Sequence, residues 1–419
     1  MASLTPRPGS TLAAFRDMSG FLFGATAMFA AMYETQAILP TIGRDFAVTP
    51  SRAGLTVSLV VIAVAVAAWI WGPVSDRIGR RRSLILASVM LAVPTLAGAF
   101  APDFGTFLAC RILQGVFMPG LLIVGVPYVI ETYAPRYGGR VLGYYMGALV
   151  AGGLIGRVGV AMIASVSSWR WAIGLLTVLP VTAALVLWRN LPPELVRPAR
   201  GEHSGIGKLV ALFRNPTLLS ASFTGCGMFF AFIAVYTYVA YRLEAAPFHL
   251  GATGVGLVFS VWLLGVLAPT IGKLAERRGW RRVSAVALVV GAIGVGLTLT
   301  SSLPVVVVGL GLVILAAFSG QTAALLGQGT STETDKGLAS ALYFSLYYAA
   351  GSLAGYLPGL AWESYGWDGV AITAFGSYAF GLVSVVAGAL VLRRIARRAT
   401  TQGSSISLTG ERPEPEEAT

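Results

Sequence analysis

Few side chains in this sequence could carry charge inside an apolar phase, and three that could are Glu34, Arg111 and Arg157, each within a long apolar run. An ionisable residue at that depth costs on the order of 3 kcal/mol on insertion scales, so it is kept only with a partner or a purpose. Counted inward from the nearer ends of their runs, all three lie about seven or eight residues deep, roughly 10 to 12 Å at about 1.5 Å per helical residue. One acid and two bases are thus expected to meet in a single layer. Two readings are open: a structural ion pair that fixes helix packing, or a carboxyl that takes up and releases a proton under the control of burial and nearby cations. Gln114 lies near one turn inward of Arg111, and Tyr33 and Gln36 flank the acid, so all three are candidates for a substrate cavity.

A second kind of chemistry sits in a loop. Gly72, Asp76, Arg77, Gly79 and Arg81 are answered at a constant offset of 200 by Gly272, Glu276, Arg277, Gly279 and Arg281. The chain therefore reads as a duplicated unit. An acid where a span leaves the membrane can face a neighbouring helix N-terminus, while the arginines hold that end at an anionic surface.

The elements that position these residues follow from composition. With 56% hydrophobic and only 11% charged residues, and a mean hydropathy of +0.75, the chain is too apolar for a water-facing surface, so it belongs in a bilayer. The net charge of +12 is spread over short loops, which fits an orientation signal rather than nucleic-acid binding. Twelve runs approach the roughly 20 residues a helix needs to span: 19–42, 53–74, 83–101, 104–127, 139–165, 168–189, 217–241, 252–274, 281–300, 303–328, 336–363 and 368–393. The expected organisation is an N-terminal tail (1–18), a six-helix bundle (19–189), a linker (190–216) rich in proline and charge, a second bundle (217–393) and a disordered tail (394–419). Lysines and arginines concentrate on the side of both termini, which predicts cytoplasmic termini. The first residues have no apolar stretch with a cleavage site and read as a cytoplasmic tail.

Small residues recur at helical spacing in equivalent runs, Gly152, Gly156 and Gly159 in the fifth and Gly351, Gly355 and Gly359 in the eleventh, where they would let helices pack closely. The second half has no ion well inside its spans. Its candidate cavity face is neutral and aromatic: Phe230, Tyr236, Tyr238, Tyr343, Tyr347 and Tyr348. Cys110 and Cys226 both fall inside spans, His249 in an outer loop and His203 in the linker, so no disulfide framework or metal cluster is expected. No phosphate-binding loop is present, which argues against a nucleotide-driven pump, and no enzyme activity or cofactor is expected.

The stretch from Gly72 to Arg81, with its weaker copy at Gly272, resembles the signature loop of the major facilitator superfamily, and the resemblance covers essentially the whole chain. It implies an all-α fold of twelve transmembrane helices in two six-helix pseudo-repeats, which work by rocking about a central site. It further implies that Asp76 latches the cytoplasmic side closed. Arg111, Gln114 and Gly115 are similar to the Arg-x-x-Gln-Gly motif of the superfamily's proton-coupled exporters. Gly143, Gly152, Gly156 and Gly159 fit part of its antiporter motif, with Arg157 in place of the motif's proline. The resemblance implies proton-coupled export of a small organic solute by a monomer in the cytoplasmic membrane, with proton-linked or facilitated uptake of a sugar or metabolite as the alternative. A membrane enzyme or receptor is the reading from another class, and substrate-dependent flux in sealed vesicles separates the two.

Overall fold

A computed structural model describes residues 11–137, 140–191, 206–332 and 335–406. The described chain is helical, as a backbone in hydrocarbon must be to satisfy its own polar groups. The first half comprises α1 (Thr11–Tyr33), α2 (Leu39–Asp45), α3 (Pro50–Ile78), α4 (Arg80–Ala99), α5 (Phe104–Leu122), α6 (Gly125–Tyr137), α7 (Arg140–Leu154), α8 (Val160–Val166), α9 (Trp169–Leu176) and α10 (Val178–Asn190). A short α11 (Ile206–Leu212) precedes the second half: α12 (Pro216–Glu244), α13 (Ala252–Val258), α14 (Ala268–Arg278), α15 (Trp280–Leu297), α16 (Leu303–Gly329) and α17 (Lys336–Ile406).

Local chemistry sets the ends. Pro50 follows the Thr49 cap of α3, Asp103 caps α5 by accepting from the Thr106 backbone N–H at 2.9 Å, and Asn215 with Pro216 opens α12. The two signature loops turn alike: α3 ends at Gly79 with φ 88° and α14 at Gly279 with φ 84°, a left-handed geometry that favours glycine. Outward faces carry exposed Val66, Val93, Leu185, Ile372 and Val383, an apolar belt that suits lipid rather than water.

Nine helices among the described residues are long and apolar enough to cross a membrane, ten with the bent pair Ala252–Leu267 and Thr270–Arg278. One of these, α17, is two helices joined across a kink at Gly366, in the turn expected between the last two spans. Twelve spans are consistent with this.

Four features depart from the expected spans. The first span breaks after Tyr33 into a 3-10 turn, Gln36–Ile38, and then α2. The fifth passes through a π-helical segment, Ile155–Gly159, centred on Arg157. The eighth runs as 3-10 helix from Phe259 to Leu267, longer than the three or four residues at which such geometry usually stops. Finally, α17 continues helical to Ile406 where a disordered tail was expected, and α11 lies within the expected linker. Residues 192–205, with His203, and 407–419 lie outside the described residues.

Candidate functional site

The break after Tyr33 strands the last carbonyls of α1, which need donors from elsewhere. Arg111 of α5 supplies them, with Nη1 donating to Ala31 O at 2.6 Å and Nη2 to Met32 O at 3.1 Å. The same Nη1 donates to Glu34 Oε1 at 2.8 Å and to Gln114 Oε1 at 2.6 Å, while Nε donates to Thr56 O of α3 at 3.0 Å. Gln114 Nε2 donates to Glu34 Oε1 at 3.1 Å and to Thr95 Oγ1 at 2.9 Å. Both charged side chains are sealed from solvent, Arg111 at 1% and Glu34 at 0% exposed. Both hydrogen bonds that reach the Glu34 carboxylate, from Arg111 and Gln114, end on Oε1, and Oε2 has no hydrogen-bond partner.

Arg157 does not join that pair, contrary to the single layer expected from depth. Its Nε donates to Gln36 Oε1 at 2.9 Å and its Nη1 to Gly153 O at 3.1 Å. The guanidinium carbon sits 3.9 Å from the ring centre of Tyr33 and 4.2 Å from that of Trp262, against both rings and close enough for cation–π attraction. Gln36 in turn donates to Thr237 Oγ1 of α12 at 3.4 Å. The two arginines thus have separate sets of partners and separate sites.

Between the halves lies a small cavity of about 70 Å³. Phe29, Met32 and Tyr33 line it from α1, and Phe229, Phe232, Trp262, Phe318, Gln321, Tyr347 and Tyr348 from the second half. Phe229 and Tyr347 stack with ring centres 4.0 Å apart. Of the expected cavity residues, Tyr33, Tyr347 and Tyr348 are there. Gln36 and Gln114 serve the arginines instead, and Phe230 is absent from the wall. Tyr236 and Tyr238 are core residues whose hydroxyls donate to Leu310 O at 2.9 Å and Gly355 O at 2.5 Å, and Tyr343 is buried beside Gly225. A buried phenol finds a carbonyl, and that removes it from a water-filled wall. Trp262 and the phenylalanines escaped sequence reasoning because apolar residues surround those helices on every side.

The glycines divide. A Cβ on Gly152 would meet Thr26 Cα at 2.9 Å and one on Gly156 would meet Ala30 Cα at 2.8 Å, so both let the fifth span press on α1. Gly351 admits the Phe229 ring, and Gly355 lies so close to α3 that its Cβ would be 2.8 Å from Ser58 N. Gly159 meets only Ile155 of its own helix, so it is not a packing glycine.

The signature loops lie at the opposite end from Arg44, whose Nη1 donates to Glu244 Oε2 at 2.6 Å, a pair itself separated by 200 residues. Partners at the repeat offset meet where the two halves face each other across a pseudo-twofold axis. Ser51 N donates to Glu363 Oε1 at 3.0 Å near the same end. Asp76, Arg77, Glu276 and Arg277 are exposed and no ion pair joins them to another described residue, so the expected Asp76 latch is not engaged. Arg81 Nη2 donates to Trp188 O at 2.9 Å, closing the end of α10. Gly72 faces open space and Gly272 approaches Thr322. The described residues hold no cluster of side chains that could bind a metal ion.

A family model described as the Major Facilitator Superfamily matches residues 21–355. The inner membrane transport protein YnfM of Escherichia coli (strain K12) is 29% identical over 395 residues, covering 90% of each chain. An uncharacterized MFS-type transporter of Bacillus subtilis (strain 168), YybF, is 28% identical over 360 residues, 85% of this chain and 89% of the relative. Among solved structures, a bacterial homologue of the human lysosomal transporter Spinster, crystallised in an inward-facing and occupied conformation, superposes with a TM-score of 0.73 over 92% of this chain and 98% of that one. At 14% identity it attests the fold. With the family model spanning most of a chain that carries the signature loop twice, the protein belongs to the major facilitator superfamily, as a multi-pass membrane transporter.

Proposed function

We propose that the chain is a proton-coupled secondary transporter that exports a small organic solute across the cytoplasmic membrane by alternating access. The observation that carries the coupling is the environment of Glu34. One carboxylate oxygen accepts from both Arg111 and Gln114, and the other, also buried, has no partner. A proton on Oε2 would neutralise the acid without breaking the bonds that Arg111 makes to the end of α1. Deprotonation restores a charge pair between two buried side chains, so the two protonation states differ in how strongly they hold α1 against α5. Coupling needs that kind of state-dependent interaction.

Among the described residues, the charged contacts between the halves, Arg44 with Glu244 and Ser51 N with Glu363, lie at the Arg44 end, which supports a cavity reached from the signature-loop side. The basic loops assign that side to the cytoplasm, with both termini, and a site loaded from the cytoplasm suits export. The similarity of Arg111, Gln114 and Gly115 to the exporters' motif supports the same direction.

The test is Glu34→Gln in proteoliposomes. The amide stands in for the protonated acid permanently, so the variant is expected to fold, to bind solute, and to lose transport driven by a pH gradient down to the level measured without one. A folded variant that still concentrates solute at the wild-type rate removes Glu34 from the coupling.

A further inference from the structure

Arg157 is a buried cation without an anion. It is 0% exposed, its ion-pair partners among the described residues include no carboxylate, and its Nη2 has no hydrogen-bond partner at all. Arg111, at the same depth, is the internal contrast: it has Glu34 and three carbonyls. A lone buried charge is strongly unfavourable unless something compensates it. What surrounds Arg157 compensates only in part, through two neutral acceptors and the faces of two rings.

Those two rings, Tyr33 and Trp262, are also walls of the cavity, with centres 5.6 Å apart. The guanidinium therefore lies one ring's thickness behind the cavity wall, and the remaining lining residues carry no charge. The backbone around it is irregular, the π segment Ile155–Gly159 touching both the 3-10 turn Gln36–Ile38 and the 3-10 stretch Phe259–Leu267. Such segments inside helices often mark functional hinges.

We propose that Arg157 is the anchor for a carboxylate, and that the solute is an amphipathic organic monoanion whose apolar or aromatic body lies against Phe229, Phe232 and Tyr347 while Tyr33 and Trp262 part to admit its charged end. This rests on the reading of the cavity as the solute site. One unpaired cation and an otherwise neutral wall match a single negative charge; a phosphate dianion would bring a second charge that no lining residue meets. The forked guanidinium with a free Nη2 suits the two oxygens of a carboxylate.

The test uses the full chain, purified and in nanodiscs, with matched pairs of probes: 2-naphthoate and 2-naphthamide, phenylacetate and phenylacetamide, indole-3-acetate and its amide. Thermal shift and tryptophan fluorescence are read without any gradient. At least one acid is expected to bind about tenfold tighter than its amide, with the preference abolished in Arg157→Gln and partly kept in Arg157→Lys. The proposal is overturned if no acid outbinds its amide, or if the preference persists undiminished in Arg157→Gln. Should that variant fail to fold, the wild-type acid and amide comparison and Arg157→Lys still decide. Acid preference in a protein that shows no proton-driven flux counts against the coupling alone, whereas flux of a neutral solute without acid preference counts against the carboxylate anchor alone.

Discussion

The two halves meet along two seams that the duplication makes equivalent, since α3 corresponds to residues 252–278 and the fifth span to the first arm of α17, yet the seams are built differently. Along α3 and α17 the contact is small and regular. Ser58 Oγ donates to Ser352 O at 2.5 Å, Ser352 Oγ returns a bond to Ser58 O at 3.0 Å, and Gly54 lies against Gly355. Both helices stay α-helical there. Along the other seam the fifth span runs through its π segment and the eighth through its 3-10 stretch. Trp262 Nε1 donates to Val150 O at 2.9 Å, and Arg157 packs on the Trp262 ring. One of the two equivalent contacts has close backbone packing, and the other has a charge, large rings and irregular backbone. Irregular backbone at membrane depth is tolerated where protein or a cavity covers it, and here it adjoins the cavity wall at Tyr33 and Trp262, which supports reading the second seam as the solute-site side and the first as a pivot.

The buried arginines sharpen this contrast most. Arg111 is tied to the regular side through Thr56 O, and Arg111→Met would leave Glu34 buried without its cation, a loss of about 3–5 kcal/mol. Arg157→Met leaves two neutral acceptors without donors, about 1–3 kcal/mol each, but it also removes a buried cation that no carboxylate among the described residues compensates, and that gain offsets much of the loss. Thermal unfolding of the purified variants should rank Arg111→Met well below Arg157→Met. Equal losses would mean that Arg157 has an anionic partner after all.

Glycine substitutions separate the seams at smaller cost. A Cβ on Gly54 would fall on the carbonyl oxygen of Gly355 and the hydroxyl of Tyr238, and backbone cannot step aside, so Gly54→Ala is expected to destabilise by about 1–3 kcal/mol. At Gly153 the added methyl would meet the Trp262 indole, 2.5 Å from Nε1, and a side chain can turn. Gly153→Ala should therefore cost less stability but more solute affinity, because it displaces the ring that holds Arg157. Melting temperatures and ligand titrations on the two variants check the crossover; parallel effects on both readouts would erase the distinction between pivot and site.

Much of this architecture was legible in the sequence. Apolar runs and the offset of 200 pointed to the fold, while counting residues from a membrane surface grouped Glu34 with both Arg111 and Arg157, of which only Arg111 pairs with it. Depth is one coordinate, however. It could not say that Arg157 points at Gln36 and Trp262 rather than at Glu34, nor that the apolar run through Tyr33 breaks. The break becomes tolerable only because Arg111, far along the chain, supplies donors to Ala31 and Met32. The cavity wall was less legible still. In a helix that is apolar all round, no periodicity separates the lipid face from the packing face or the cavity face, so Phe229, Phe232 and Trp262 gave no signal, while Tyr236 and Tyr238 gave a false one that backbone carbonyls had already answered.

The smallest stability effect belongs to the signature loop, away from both seams. Asp76 is exposed and makes no ion pair with another described residue, so in this conformation the acid holds nothing in place. Asp76→Asn should leave the melting temperature of the purified protein within the small range expected of surface substitutions, about 0.5 kcal/mol either way. Transport should nevertheless slow. A contact absent from one conformer and made in the other changes only the second, and a transporter must visit both in every cycle. The expected signature is therefore an unchanged melt, an unchanged solute affinity and a lower turnover in proteoliposomes. Arg44→Gln gives the mirror case: its pair with Glu244 joins the halves in the conformation described, and Arg44 is mostly exposed, so the loss is expected to be under about 1 kcal/mol and to appear in the melt itself. If Asp76→Asn turns over at the wild-type rate, the loop acid takes no part in exchange between conformers, and its recurrence at Glu276 is a remnant of the duplication alone.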